Sequence, residues 1–239
     1  MVEVSVIVPT ILPPGATIEP VERLARDGFD DYEVIVRRDD GAAHARNVGI
    51  ERASGEKLVF LDDDSVPCEG FLRTASVALD AYPAVAGRVV QPADAPYRDL
   101  ELPWYDQGEK TKPTDLLPGC NMAIRREVIE SVGGFDEEAF GWGHEESELA
   151  ERIAEEYAIQ YVPELVVEHT YVESFRDFLE KSYLLGRADV RWWRLDGKSD
   201  RWLLRQTLNT SLREDSRLGT ARRVAQRVGW IAETVAGRD

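Results

Sequence analysis

A chain of 239 residues with 43% hydrophobic content can bury one substantial core, and an α/β chain of this length is commonly a single domain. Its formal charge of −16 argues against a nucleic-acid partner, since a polyanion repels another unless basic residues cluster strongly. Cys68 and Cys120 are too few for a disulfide framework and wrongly spaced for zinc, and no run approaches the roughly 18 apolar residues of a membrane span, so the expected location is the cytoplasm.

The first strand signal is Val4-Ser5-Val6-Ile7-Val8, a β-branched run ended by Pro9; Glu33–Val36 and Lys57–Leu61 repeat the pattern. Such continuous apolar runs read as buried parallel strands. Between them, Glu19–Arg26 and Ala43–Ala53 carry helical spacing, the second stopped by Ser54-Gly55. The βαβαβ alternation predicts right-handed crossovers and a nucleotide-binding half-sheet.

A helix over Phe71–Tyr82 and a strand over Val85–Val90 follow. Gln91–Pro118, with five prolines and no usable period, reads as a long loop. Trp104-Tyr105 at its centre either stacks on a sugar or anchors the loop to the core. Next come a strand at Asn121–Ile124, a helix at Arg126–Val132 and a turn at Gly133-Gly134. Leu149, Ile153 and Tyr157, at i, i+4 and i+8, mark the buried stripe of a helix whose first turn holds Glu145 and Glu146. Short strands at Ile159–Val162 and Leu165–Val167, then His169, then a helix from Ser174 to Arg187, complete the part read as 1–186.

Residues 187–239 differ electrically: twelve basic and seven acidic residues give +5 there and leave −21 for 1–186. Four of the six tryptophans, at 192, 193, 202 and 230, lie in this basic stretch. Arginine with interfacial tryptophan suits an anionic bilayer surface, and a helical tail packed back on the protein is the competing reading. The expected division is therefore 1–186 (halves 1–91 and 92–186) and a helical extension, 187–239, in peripheral contact with the inner face of the cell membrane.

Asp62, Asp63 and Asp64 follow directly on an apolar strand. Packing that charge at a strand's carboxyl end costs several kcal/mol unless a cation or donors compensate. In open α/β sheets ligands gather outside the carboxyl ends of strands, and oxygen ligands suit Mg²⁺ or Mn²⁺. Alone, the triplet reads equally as a helix cap or a solvated turn.

The surrounding segments add to this. Val4–Thr10, Glu33–Asp40, Ala45-Arg46-Asn47-Val48-Gly49, Phe60–Pro67, Gly133-Gly134-Phe135-Asp136 and Gly141–Arg152, in this order, resemble the inverting family 2 glycosyltransferases over roughly residues 3–187. The resemblance implies the GT-A fold, a single α/β domain with a mostly parallel central sheet flanked by helices. It also implies a divalent cation, Mn²⁺ or Mg²⁺, and a nucleotide-diphosphate sugar donor, UDP-, GDP- or dTDP-linked, with a saccharide or lipid-linked acceptor.

Residue by residue, the resemblance implies Pro9 and Thr10 in the nucleotide loop, Asp39 or Asp40 as the base-reading acid, and Asp62 on the ribose. Asp63 is then the spacer and Asp64 the metal ligand. Ile11-Leu12 depart from the usual aromatic-Asn pair. Arg46 is expected at the base or diphosphate, where a guanidinium offers planar recognition; its alternative is a surface arginine paired with local acids. Trp142, Gly143 and His144 are expected on the acceptor side, Glu146 as the base that removes the acceptor proton, and Glu145 beside it. Acids in a helix's first turn also simply complement its dipole. His169 is the expected late histidine on the metal. The competing functions are a sugar-nucleotide pyrophosphorylase, whose glycine-rich basic opening loop is absent, and a non-catalytic nucleotide-sugar or carbohydrate-binding module.

Overall fold

A computed structural model describes residues 2–98, 100, 102–138, 143–214 and 216–236. The chain forms two compact units, Met1–Glu137 with Glu146–Tyr171, and Glu138–Glu145 with Val172–Asp239.

The first unit is built on one sheet of order β2-β1-β3-β7-β5-β8-β4, with β6 also on β8. β1 (Val4–Pro9) lies between β2 (Tyr32–Arg37) and β3 (Lys57–Phe60), parallel to both. Helices α1 (Glu19–Leu24) and α2 (Ala42–Arg52) supply the crossovers. Both faces of β1 and β3 are covered, which is why apolar residues predominate in these strands: Val6, Val8, Val59 and Leu61 enter one core cluster, while Ile7, Leu58 and Phe60 enter the other. At Gly49 a Cβ would lie 2.5 Å from Ile7 Cγ2, so the glycine lets α2 close on β1.

Beyond β3 the sheet becomes mixed. β7 (Met122–Arg125) is antiparallel to both β3 and β5 (Ala84–Val90), which in turn runs parallel to β8 (Ile159–Glu168). The two longest ladders, β1 with β2 and β5 with β8, are parallel. Helix α3 (Phe71–Ala81) buries Phe71, Leu72, Ala75 and Leu79 in the first cluster. α4 (Arg126–Val132) and α5 (Glu145–Glu156) contribute Val128, Ile129, Leu149 and Ile153 to the second, where Tyr157 packs partly buried.

Three local details differ from the sequence reading. The two expected strands at 159–162 and 165–167 form one strand, whose register on β5 jumps from Gly87↔Val162 to Arg88↔Val166. Pro163-Glu164-Leu165 are the residues taken up in that irregularity, so the break seen in the sequence is a bulge within β8. The expected 91–118 loop contains β6 (Lys112–Thr114), antiparallel to the start of β8, and Val66-Pro67 form β4 on the other end of β8.

The second unit holds α6 (Phe175–Leu195), α7 (Asp200–Asn209) and α8 (Arg217–Ala236). Ser174 caps α6 by accepting from Asp177 N, and Ser199 caps α7 by accepting from Trp202 N. Residue 187 falls inside α6. Where α6 and α8 cross, a Cβ on Gly186 would stand 2.1 Å from Gln226 O and one on Gly229 2.2 Å from Tyr183 O, so the two backbones meet at glycines. Glu233, buried, binds Arg187 and Arg191 at 2.8 and 2.9 Å. Burial pulls its carboxyl upward, and the hydrogen bonds from Arg191 and Arg187 outweigh that and hold it below the usual range. Trp193 meets Trp202 and Trp230 edge to face at 5.4 and 5.2 Å. Val190, Leu203 and Trp230 form the buried centre. Two tryptophans expected at a bilayer, Trp193 and Trp230, are thus spent on the unit's own interior.

Candidate metal and donor site

The site lies where β1 and β3 end side by side. Leu61 N still donates to Ile7 O, at 3.2 Å, and Ser65 N closes a turn onto Asp62 O at 3.1 Å, so the three aspartates occupy a tight bend off the sheet. Each engages a different side chain. Asp62 Oδ1 accepts from Arg46 Nη2 at 3.0 Å. Asp63 accepts from the Thr10 hydroxyl, which itself accepts from Leu12 N at 3.0 Å. Asp64 Oδ1 lies 3.4 Å from His169 Nε2.

His169 is set by backbone and packing. Its N–H donates to Val90 O at 2.9 Å, extending the β5–β8 pairing past the strand end, and Tyr105 packs edge-on to its ring at 5.9 Å between centroids. Ligand atoms of Asp62, Asp64 and His169 all lie within 4.8 Å of one another. His169 is buried, and its Nδ1 has no hydrogen-bond partner among the described residues. Two carboxylates and an imidazole are a donor set that fits Mn²⁺ or Mg²⁺.

Behind this group sits Cys120, fully enclosed. Burial, then the charge of Asp62, then those of Asp64 and Glu146, push its thiol well above the usual range, while a hydrogen bond with Tyr105 acts the other way. Glu146 lies in the first turn of α5. The Tyr105 hydroxyl is raised likewise, by burial first and then by Cys120 and Asp62.

Arg46, on α2, is 3% exposed; it reaches Asp62 and lies with its guanidinium carbon 5.5 Å from the centre of the Phe135 ring. Its neighbour Asn47 pins the Gly133-Gly134-Phe135 turn, donating to Phe135 O and accepting from Phe135 N, each at 2.9 Å. At the β2 end, Arg37 grips Asp39 with two hydrogen bonds of 2.7 and 2.8 Å, and this contact lowers the Asp39 carboxyl. Asp40 is exposed. Arg38 Nε donates to Leu12 O at 2.8 Å, which ties the loop after Pro9 to the end of β2 and leaves Ile11 fully exposed.

On the expected acceptor side, Gly143 and His144 have φ of 78° and 70°. Within the second unit, His144 Nε2 lies 2.9 Å from Asp189 Oδ1. Glu145, the first residue of α5, is buried and groups with the second unit, whereas Glu146 groups with the first. Trp142, with residues 139–141, lies outside the described residues. A cleft of about 430 Å³ is lined by Val89 and Val90 of β5 and by Arg98, Leu100, Leu102 and Tyr105; none of Asp62, Asp64 and His169 lines it.

Cys120, Asn47 and Asp189 were given no role of their own from sequence. Only Trp104-Tyr105 carried a signal, an aromatic pair in an otherwise polar loop, and burying Tyr105 against His169 and Tyr171 makes it an anchor.

The sequence profile of glycosyl transferase family 2 matches residues 14–133, half of the chain. The chain belongs to this family. A second profile, the N-terminal domain of galactosyltransferase, matches residues 107–172. Among curated proteins the chain is similar to the glycosyltransferase AglE of Haloferax volcanii, with 23% identity over 184 residues, 74% of this chain and 60% of that protein. It is also similar to the pre-mycofactocin glycosyltransferase of Mycobacterium tuberculosis, with 28% identity over 176 residues, 65% of this chain and 36% of that one. The chain thus spans about a third to three fifths of the length of these relatives.

Among solved structures, the mannosyltransferase PcManGT from Pyrobaculum calidifontis, in complex with GDP-Man and Mn²⁺, aligns with a TM-score of 0.67 at 16% identity over 100% of this chain and 88% of that one. GalNAc-T7, solved with UDP, GalNAc and Mn²⁺, aligns at 0.58 and 15% identity over 99% of this chain and 57% of that one. The fold of the family 2 chain is the GT-A fold, a mixed sheet flanked by helices, with further C-terminal helices.

Proposed function

We propose that the chain is a metal-dependent glycosyltransferase that moves a sugar from a nucleotide-diphosphate donor to an acceptor hydroxyl with inversion. The observation that carries the reading is the meeting of Asp62, Asp64 and His169 at the ends of β3 and β8. Family membership and the GDP-Man, UDP and Mn²⁺ bound by structural neighbours support the donor class.

In this reading Asp64 and His169 hold the ion, Asp62 takes the ribose hydroxyls, and Asp39 or Asp40 reads the base. Pro9 and Thr10 form the nucleotide loop, with Asp63 as the brace that sets Thr10. When bound, Mn²⁺ or Mg²⁺ supplies Lewis-acid neutralisation of charge on the departing diphosphate. Glu146 accepts the proton of the acceptor hydroxyl as that oxygen bonds to the anomeric carbon, and the bond from this carbon to the diphosphate oxygen breaks on the opposite face. Base assistance of this kind contributes roughly 10²- to 10⁴-fold. Arg46 acts by holding Asp62 rather than by reaching outward, which its burial supports.

The test is a panel of UDP-, GDP- and dTDP-sugars read by thermal unfolding with and without Mn²⁺. Ligand at about 100 times Kd stabilises by about 2.7 kcal/mol, worth roughly 5–10 °C for a chain of this size. One base class raises the melting temperature only with the ion, and Asp64→Ala loses the effect. A flat response across the panel defeats the reading.

The acceptor side of the proposal includes peripheral membrane contact through 187–239. With Trp193 and Trp230 packed inside, the outward face of α8 supports this: Val224, Val228, Ile231 and Val235 are all exposed at i, i+4, i+7 and i+11, and Arg217 at the start of the helix is exposed too. Among the described residues, no helix is long and apolar enough to cross a membrane. Flotation with anionic vesicles should recover the wild-type chain and lose Val228→Glu/Ile231→Glu; equal recovery of both removes the membrane from the proposal.

A further inference from the structure

Asp189 joins two residues that lie on either side of it in the chain. Its Oδ1 lies 2.9 Å from His144 Nε2, and its Oδ2 accepts from Trp230 Nε1 at 2.8 Å. All three residues belong to the second unit. Trp230 is 3% exposed and fixed in the cluster with Trp193, so its N–H is a rigid anchor. His144 carries a left-handed φ of 70°, a backbone conformation that is unfavourable for a non-glycine residue and persists only where its surroundings impose it. Its ring also lies 5.6 Å from that of Trp192.

From this geometry we infer that Asp189 is a positioning residue for His144, fixing its ring and tautomer for acceptor binding, with Trp230 holding Asp189 in place. The inference rests on the reading of Gly143 and His144 as part of the acceptor side.

The chemistry is one of donors and acceptors. An indole N–H only donates, so Oδ2 must accept from it. A carboxylate accepts with its other oxygen too, so His144 Nε2 carries a proton whether the ring is neutral or charged, and in the neutral ring Nδ1 is the acceptor nitrogen. Asparagine has one acceptor oxygen and one NH₂. With that oxygen kept by Trp230, the amide turns its NH₂ to His144, Nε2 must then accept, and the proton moves to Nδ1. Asp189→Asn therefore reverses the tautomer while changing almost no volume. The same exchange at the orienting aspartate of a Ser-His-Asp triad costs orders of magnitude in rate.

The test uses the full chain and two readouts. The chain has three histidines, so its imidazole ¹⁵N spectrum can be assigned by single substitutions. The expected spectrum has the His144 proton on Nε2 in wild type and Trp230→Phe, and on Nδ1 in Asp189→Asn. With octyl glycosides as acceptor probes, Asp189→Asn should raise the acceptor KM by about ten-fold or more while the thermal shift given by the nucleotide sugar stays at its wild-type value. Trp230→Phe, which keeps the buried ring and removes the N–H, should fall between the two. An Nε2 proton retained in Asp189→Asn, or an unchanged acceptor KM in both variants, overturns the inference. If Asp189→Asn fails to fold, an unchanged KM in Trp230→Phe does so. Absence of transfer by the wild type to every glycoside counts against the proposed function instead, and the tautomer measurement still decides the role of Asp189.

Discussion

Removing the Asp62 carboxylate takes an ion-pair partner from a buried cation. At 3.0 Å and an effective dielectric constant near 20, the attraction between Arg46 and Asp62 is about 5–6 kcal/mol before solvent is counted. The Arg46 side chain is 4% exposed but that of Asp62 is 35% exposed, so water already screens one partner. Loss of Asp62 also relieves its repulsion with Asp64. We therefore expect Asp62→Ala to cost about 1–2 kcal/mol net, a fall in melting temperature of roughly 2–8 °C for a chain of this size. Most of that is the loss of one charged acceptor for the guanidinium buried beside Phe135. Arg46→Leu removes the charge and retains an apolar contact with that ring, so the double variant Arg46→Leu/Asp62→Ala should be more stable than the two single losses added together. Urea unfolding of the four proteins gives the coupling directly, expected at about 1 kcal/mol or more. A coupling below about 0.5 kcal/mol would show that Arg46 does not depend on Asp62 and would remove its role as the brace of the donor site.

Three further outcomes follow from other parts of the molecule. Gly186→Ala puts a methyl group into the α6–α8 crossing, where backbone stands 2.1 Å away, so it should destabilise by about 1–3 kcal/mol or more, and Gly229→Ala similarly; thermal unfolding at wild-type temperature in both would contradict the close crossing. Burial draws the Glu33 carboxyl upward, and bonds from Ser54 N–H, Ser54 Oγ and Ser5 Oγ outweigh it, so its folded pKa lies below its usual 4.5. The carboxylate therefore stabilises the fold above about pH 4.5 and loses that contribution as pH falls through the lowered value, so the stability gap between wild type and Glu33→Gln should close on acidification; a gap that widens contradicts the sign. Burial raises both thiols, Cys120 the more strongly, so Ellman's reagent at pH 8 should label Cys120 only after denaturation and Cys68 slowly in the folded protein; rapid native labelling of Cys120 would contradict its enclosure behind Asp62.

The β1–β3 half of the fold was legible because β1 and β3 are largely buried on both faces and each helix lies between two strands. Val6–Val8 and Leu58–Leu61 had to be apolar, and the stops at Pro9 and Ser54-Gly55 are local chemistry. β4 and β6 were not legible. They are two and three residues long, and Val66-Pro67 and Lys112-Pro113-Thr114 become strands only because the edge of β8 offers them backbone partners. The acids of the candidate site announced themselves by charge density at a strand end. The residues behind them did not, since Tyr105 and Cys120 reach Asp62 only through the tertiary fold. Asp189, 45 residues from His144, was equally hidden. In the C-terminal helices the tryptophans drew the eye toward a bilayer, yet packing claimed Trp193 and Trp230, and the exposed apolar face fell to valines and an isoleucine whose helical spacing was already present in the sequence.

The central claim is that the strand-end acids and Glu146 act together on a nucleotide sugar. Its most direct test is turnover of the donor selected by thermal shift, with Mn²⁺, by wild type, Asp64→Ala and Glu146→Gln, with the anomeric configuration of the product read by NMR. The account predicts inverted product from wild type, transfer reduced by roughly 10²- to 10⁴-fold in Glu146→Gln with donor-induced stabilisation retained, and loss of both in Asp64→Ala. A product of retained configuration, or undiminished transfer by Glu146→Gln, would contradict it.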